Sequence, residues 1–299
     1  MSLRDRLVDP NSPERRPRRA AYALPTLFTA GNVFFGFYAL IEIFQGAMEM
    51  VTASASPNLA NQHFVKASLA IGLAVFLDGL DGRIARMTNT VSDFGREMDS
   101  LADVIAFGIA PAALAFVWGV RFVEPVTTLN PKVFEYLNSA GYFFSFIFLL
   151  CGAMRLARFN IQKNPMPKNP GRPDRKYFVG LAIPSGAAVV ASVVFASDGV
   201  PLRAWTFSAA WLVLLALLSF LMVSTWRYPS FKDLSLTRPR SPVTIILFAT
   251  VIFLIWRFPQ AALLAMSAGY MVSGIVIRIG GIFRRRFKSP PPQPEHQIG

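Results

Sequence analysis

One cysteine, Cys151, stands in 299 residues, so the chain cannot close an internal disulfide or build a thiolate cluster. Two histidines, His63 and His296, exclude a histidine-rich zinc site. Charge is scarce as well: Asp, Glu, Lys and Arg make up 16% of the residues, against about 25% in typical soluble domains. What the chain has in excess is apolar surface, with 53% hydrophobic residues and 27 phenylalanines, giving a mean hydropathy of +0.42. A bilayer span takes about 20 residues, and this content suffices for up to about eight. The composition points to a polytopic membrane protein.

Uninterrupted apolar runs place candidate helices at 25–44, 64–87, 97–120, 136–154, 177–196, 205–224, 243–256 and 261–277, an all-α bundle of eight transmembrane helices. The last two are separated only by Arg257-Phe258-Pro259-Gln260, which reads as a tight hairpin in preference to a re-entrant pair. The net charge of +13 raises nucleic acid as a partner, but its distribution assigns it to topology. The N-terminal arm, every second connection and the C-terminal tail carry twenty-five of the thirty basic residues. The opposite side keeps only Lys66, Arg121, Lys132, Arg203 and Arg257. Both termini are therefore expected in the cytoplasm, at the inner membrane, with the basic ends attracted to anionic lipids and no role for nucleic acid. The expected organisation is a basic arm at 1–20, an integral-membrane catalytic domain at 21–280, and a basic, then proline-rich and disordered tail at 281–299. Ala53-Ser54-Ala55 imitates a signal-peptidase site, but it lies too far beyond a run too long for a signal peptide, so an uncleaved first helix is expected. Glu42 reads as interfacial, and the Phe-rich fourth span as facing lipid.

The second and third spans carry four aspartates, Asp78, Asp81, Asp99 and Asp103. Unpaired in the bilayer they would cost on the order of 10 kcal/mol together. Spacings of three and four put each pair on one helix face, and the short connection 88–96 makes the two helices antiparallel neighbours. At 1.5 Å per residue, Asp78 and Asp103 fall roughly 14 and 9 Å inward from the cytoplasmic ends, so the two faces meet. Four hard oxygen donors in a low-dielectric cavity suit Mg²⁺ or Mn²⁺, as one ion or a pair. Two other readings remain open on spacing alone: ion pairs with Arg83, Arg86 and Arg96, or the ion pathway of a cation-coupled transporter. Gly79, Gly82 and Gly95 would let a bulky ligand approach the backbone or, alternatively, let helices approach closely.

The pattern D-x-x-D-G-x-x-A-R, eight residues, then G-x-x-x-D-x-x-x-D is met by Asp78, Asp81, Gly82, Ala85, Arg86, Gly95, Asp99 and Asp103. It resembles the signature of the CDP-alcohol phosphotransferases. The resemblance implies transfer of a phosphatidyl group from a CDP-linked lipid to an alcohol, with release of CMP. It implies two divalent cations on Asp78, Asp81, Asp99 and Asp103, with Asp103 also the general base. Gly82, Ala85 and Gly95 would line the cytidine and ribose site, and Arg86 would help hold the nucleotide. Family resemblance also implies a homodimer.

Stretches 27–36, 151–160, 177–181 and 221–232 are similar to the branch of that family whose donor is CDP-diacylglycerol and whose acceptor is L-serine. The chain departs from that branch at Ala182-Ile183-Pro184-Ser185-Gly186, where a Pro-Ser-Pro pattern is expected. Arg155 and Arg158, one turn apart, offer cations for the acceptor's carboxylate, and the same arginines would suit glycerol 3-phosphate or inositol phosphate. Both also fit an ordinary cytoplasmic helix end. Asn32 is a candidate lining residue of the acceptor cavity.

Overall fold

In the computed structural model the chain is described over 19–52, 57–88, 93–125, 132–163, 177–229 and 242–286, with the backbone alone described at several segment ends, 81–88 among them. Eight helical stretches fall in these residues. They are α1 (Arg19–Val51), α2 (Pro57–Thr88), α3 (93–121), α4 (Lys132–Lys163), α5 (Ile183–Ala196), α6 (Trp205–Val223), α7 (Pro242–Arg257) and α8 (Pro259–Arg286). Apolar residues occupy all faces of these helices, the pattern of segments that contact lipid on one side and protein on the other. Among the described residues six are long and apolar enough to cross a membrane, at Leu27–Val51, Asn58–Leu80, Gly95–Arg121, Lys132–Ile161, Trp205–Val223 and Pro259–Gly280.

The helices α5 and α7 are shorter, 14 and 16 residues. At 1.5 Å per residue α5 reaches only about 21 Å. It lies inside the bundle, with Ile183, Ala187, Val190 and Val194 buried between α2, α3 and α8. A helix wrapped in protein need not match the bilayer thickness. The start of the expected fifth span is instead a strand, β1 (Tyr177–Val179), paired antiparallel with β2 (Arg227–Pro229), Phe178 facing Tyr228 in register. Gly180 makes the exit: its φ of +78° belongs to glycine, and a Cβ there would stand 2.6 Å from the Met222 carbonyl oxygen. Pro184 then sits in the first turn of α5, where its missing N–H costs nothing. At the other junction a single residue, Phe258, separates α7 from α8, and α7 has α8 as its main neighbour.

The centre of the bundle is α3, which runs as α-helix Asp93–Asp103, π-helix Val104–Ile109, α-helix Ala110–Phe116 and π-helix Val117–Arg121. Its face Ala106, Phe107, Ala110, Leu114 and Trp118 is buried. Gly36 of α1 meets Ala106 backbone to backbone, so closely that a Cβ would stand 2.8 Å from the Ala106 Cα. Near the second widened turn the carbonyls of Ala115 and Gly119 accept hydrogen bonds from Trp211 Nε1 (3.0 Å) and the Ser208 hydroxyl of α6. Widened turns present carbonyls sideways in this way, which fastens two helices where hydrophobic driving force between them is weak.

Two sequence expectations change. Glu42 is not interfacial but buried, and receives the His63 ring across 2.6 Å, α1 to α2; the partner removes the penalty that would have kept it at the surface. The phenylalanines of the fourth span divide, Phe143 and Phe146 facing outward and Phe148 lying fully in the core.

Candidate active site

Asp99 and Asp103 are one helical turn apart at the end of the α-helical opening of α3, and Asp78 lies on α2 opposite. The three side chains each offer a carboxylate oxygen, all within 4.8 Å of one another. Asp103 is buried and the other two half-buried. No other such cluster of potential ligands occurs among the described residues. Backbone α2 runs on through Asp81, Gly82, Ala85 and Arg86, whose side chains lie outside the described residues. Gly95 stands in the first turn of α3, and a Cβ on Gly79 would meet only open space, so the α2 face beside Asp78 leaves room for a ligand.

The donor set fits a hard divalent cation. Mg²⁺ binds oxygen at about 2.0–2.1 Å, so ligands of one ion stand up to about 4.2 Å apart, and a pair of ions about 3.5–4 Å apart accepts slightly wider spacing. Beside the carboxylates, Asn32 of α1 is wholly buried with neither its amide oxygen nor its amide nitrogen hydrogen-bonded. Gly36, one turn further along α1, fixes its level, because it meets Ala106, which lies one turn beyond Ala102 and Asp103. An orphaned buried amide costs about 1–3 kcal/mol, and at this level a polar ligand would satisfy it.

Arg155 of α4 completes the ring. Its charge is acted on by the Asp103 and Asp78 carboxylates and by the Arg158 guanidinium, its Cζ lies 5.7 Å from the Phe159 ring centre, and its buried Nε has no hydrogen-bond partner. Arg158 goes elsewhere: its Nη1 donates to the Val223 carbonyl (3.3 Å) at the C-terminal end of α6, where a cation is favoured by the helix dipole. Of the two expected arginines, Arg155 lies within electrostatic reach of the carboxylates and Arg158 is bonded at a helix end. Asn160, two residues on, donates to the Ser100 hydroxyl (2.7 Å), which itself donates to the Arg96 carbonyl (3.0 Å), holding α4 against the aspartate-bearing turn. Arg96 also lies 3.7 Å from Glu97.

Two aromatic residues near the site carry no sequence motif. Tyr228 of β2 is fully buried, donates to the Met271 carbonyl (3.4 Å) and lies 5.6 Å from the Tyr270 ring. Burial, with Tyr270 close by, pushes the Tyr228 phenol up to about 12. The readable signal was Tyr270 four residues before Gly274: a glycine one turn from an aromatic marks a place where another bulky group enters, here the Tyr228 ring.

Buried acidic oxygens at the end of two membrane helices, a cation near them and open space beside a glycine make a membrane-embedded site suited to a divalent cation and a phosphorylated ligand. Residues 22–205 match the CDP-alcohol phosphatidyltransferase family, and the chain belongs to it. It is 33% identical over 261 residues to the CDP-diacylglycerol–serine O-phosphatidyltransferase of Helicobacter pylori, covering 87% of this chain and 92% of that one. It is 32% identical over 212 residues to the protein of that name from Methanocaldococcus jannaschii, covering 71% and 83%. To the one from Saccharomyces cerevisiae it is 36% identical over 165 residues, covering 55% and 50%.

Proposed function

We propose that the chain transfers the phosphatidyl group of CDP-diacylglycerol to the hydroxyl of L-serine, forming phosphatidylserine and releasing CMP. The observation that carries this reading is the meeting of Asp78, Asp99 and Asp103 in a chain of this family, whose relatives bear the name of that reaction.

Asp78, Asp81, Asp99 and Asp103 would hold two divalent ions, Mg²⁺ or Mn²⁺, which when bound draw charge from the phosphate oxygens and from the departing CMP. Gly82, Ala85 and Gly95 would leave room for the cytidine and ribose, and Arg86 would help hold the nucleotide. Asp103 accepts the proton of the serine hydroxyl as that oxygen forms its bond to the lipid-linked phosphorus and the bond to the CMP oxygen breaks. Arg155 pairs with the serine carboxylate, and the free amide of Asn32 binds at the same end. Arg158, engaged at Val223, contributes through α6 and not by direct contact.

The same reading includes the finer architecture: eight spans with both termini cytoplasmic, an arm at 1–20, a catalytic domain at 21–280 and a tail beyond. It places the site at the cytoplasmic face of the inner membrane, with anionic lipids and a second copy of the chain as partners. The test is CMP release by the purified protein in detergent from CDP-diacylglycerol. Release should require serine and Mg²⁺ or Mn²⁺ and stop with EDTA. Release with glycerol 3-phosphate or inositol phosphate but not serine would replace the acceptor. No release with any alcohol, together with ion-driven uptake in vesicles, would make the aspartates a transporter's ion site.

A further inference from the structure

Asn32 of α1 is wholly buried, and neither its amide oxygen nor its amide nitrogen has a hydrogen-bond partner. The close contacts of α1 on either side of it fix what it faces. A Cβ on Gly31 would stand 3.2 Å from Cδ1 of Leu77, the residue before Asp78, and one on Gly46 would stand 3.0 Å from the Phe64 ring, so α1 and α2 run antiparallel. The short connection from Thr88 to Asp93 then brings α3 back along α1 in the same direction. Gly36 meets Ala106 at the backbone, and one turn back on both helices sets Asn32 against Ala102 and Asp103. The amide is thus enclosed between the Asp78 end of α2 and the Asp103 turn of α3, turned away from lipid, at the level where the carboxylate oxygens gather within 4.8 Å of one another.

An amide in that position asks for a particular ligand. Its oxygen only accepts and its nitrogen only donates, so a metal ion would satisfy the oxygen alone and a phosphate the nitrogen alone. An ammonium and a carboxylate on one carbon satisfy both. The neutrality of the group matters as well, because an aspartate in its place would add a further negative charge and a competing cation ligand beside Asp78 and Asp103. We propose that Asn32 selects the acceptor by its α-ammonium group, its Oδ1 accepting an ammonium N–H while its Nδ2 donates to the carboxylate on the same carbon. Glycerol 3-phosphate and inositol phosphate carry no ammonium, and that of choline has no N–H to donate. The proposal rests on the reading of L-serine as the acceptor and adds to it the group by which serine is told from other alcohols.

Steady-state CMP release by the full-length protein in detergent at saturating Mn²⁺ tests it, with 3-hydroxypropionate as a competitor that keeps the hydroxyl and carboxylate of serine and lacks the ammonium. Asn32→Leu should raise the serine KM roughly tenfold or more, as loss of a hydrogen bond to a charged group does, with kcat and the KM for CDP-diacylglycerol within about twofold. The inhibition constant of the competitor should change less than the serine KM, since it has no ammonium contact to lose. Thermal stability without serine should hold or rise, because leucine replaces an amide that has no partner in the ligand-free protein. A lower melting temperature with equal losses for serine and CDP-diacylglycerol would make Asn32 a packing residue and overturn the proposal. An unchanged serine KM, or a serine KM and a competitor constant that rise by the same factor, would overturn it too. Release of CMP by the unsubstituted protein with another alcohol but not with serine would instead remove the acceptor reading, and the proposal with it.

Discussion

Asp78 and Asp103 offer the same carboxylate to the same small volume, yet burial sets them apart. Asp103 is 7% exposed. Asp78 stands half-exposed beside the open face of Gly79, on the side assigned to nucleotide and metal. Asp103→Asn should therefore cut turnover by about 10²–10⁴-fold, the usual cost of removing a general base, with CDP-diacylglycerol binding largely kept. Asp78→Asn and Asp81→Asn should raise the metal concentration needed for half-maximal rate. Equal, mild losses from all the changes, measured by CMP release against titrated Mn²⁺, would mean that the carboxylates serve only as an ion-paired cluster.

At the scale of elements, the ribbon β1–β2 has its own signature in pH. The Tyr228 phenol is raised to about 12 from an ordinary value near 10. Above pH 10 the unfolded chain ionises this group and the folded one does not, so stability is full below 10 and falls progressively between 10 and 12. Tyr228→Phe should flatten that fall while lowering stability near neutral pH through loss of the bond to Met271. Thermal unfolding in detergent across pH 8–11.5 would show it, and parallel curves for the two proteins would contradict it. The ribbon was not legible in the sequence, because three-residue strands show no alternation and Tyr177–Val179 continues into an apolar run that reads as one span. The aspartate faces were legible for the opposite reason. Charges three and four apart in apolar helices have one economical solution, and Asp78, Asp99 and Asp103 adopt it. Glu42 was misread because a partner twenty-one residues away, His63, leaves no local trace.

For the whole molecule, the proposed side of each connection rests on twenty-five basic residues against five, a bias that weighs more than any single helix boundary. In a Cys151→Ser background, single cysteines at Asn130 and Ser197 should react with an impermeant thiol reagent from outside, and one at Asn169 should not. Reaction of Asn130→Cys only after the membrane is opened would reverse the orientation or remove a span. On the proposed orientation, the aspartates and Arg155 lie toward the side that carries most of the basic residues.

The π-turn at Val104–Ile109 begins at the residue after Asp103. Each residue of an α-helix advances the side chains by about 100°, so a turn widened by one residue resets which way everything beyond it points. The part of α3 that carries carboxylates and the part that carries Phe107, Leu114 and Trp118 are thereby uncoupled in azimuth. A straight helix would tie them to a single stripe, and any drift in the apolar half would swing the carboxylates off their target. With the insertion between them, the two halves resemble sections of a shaft joined by a keyed coupling. Removal of one residue within 104–109 would turn the upper section by about a quarter turn or more and put the core face where the lipid should be.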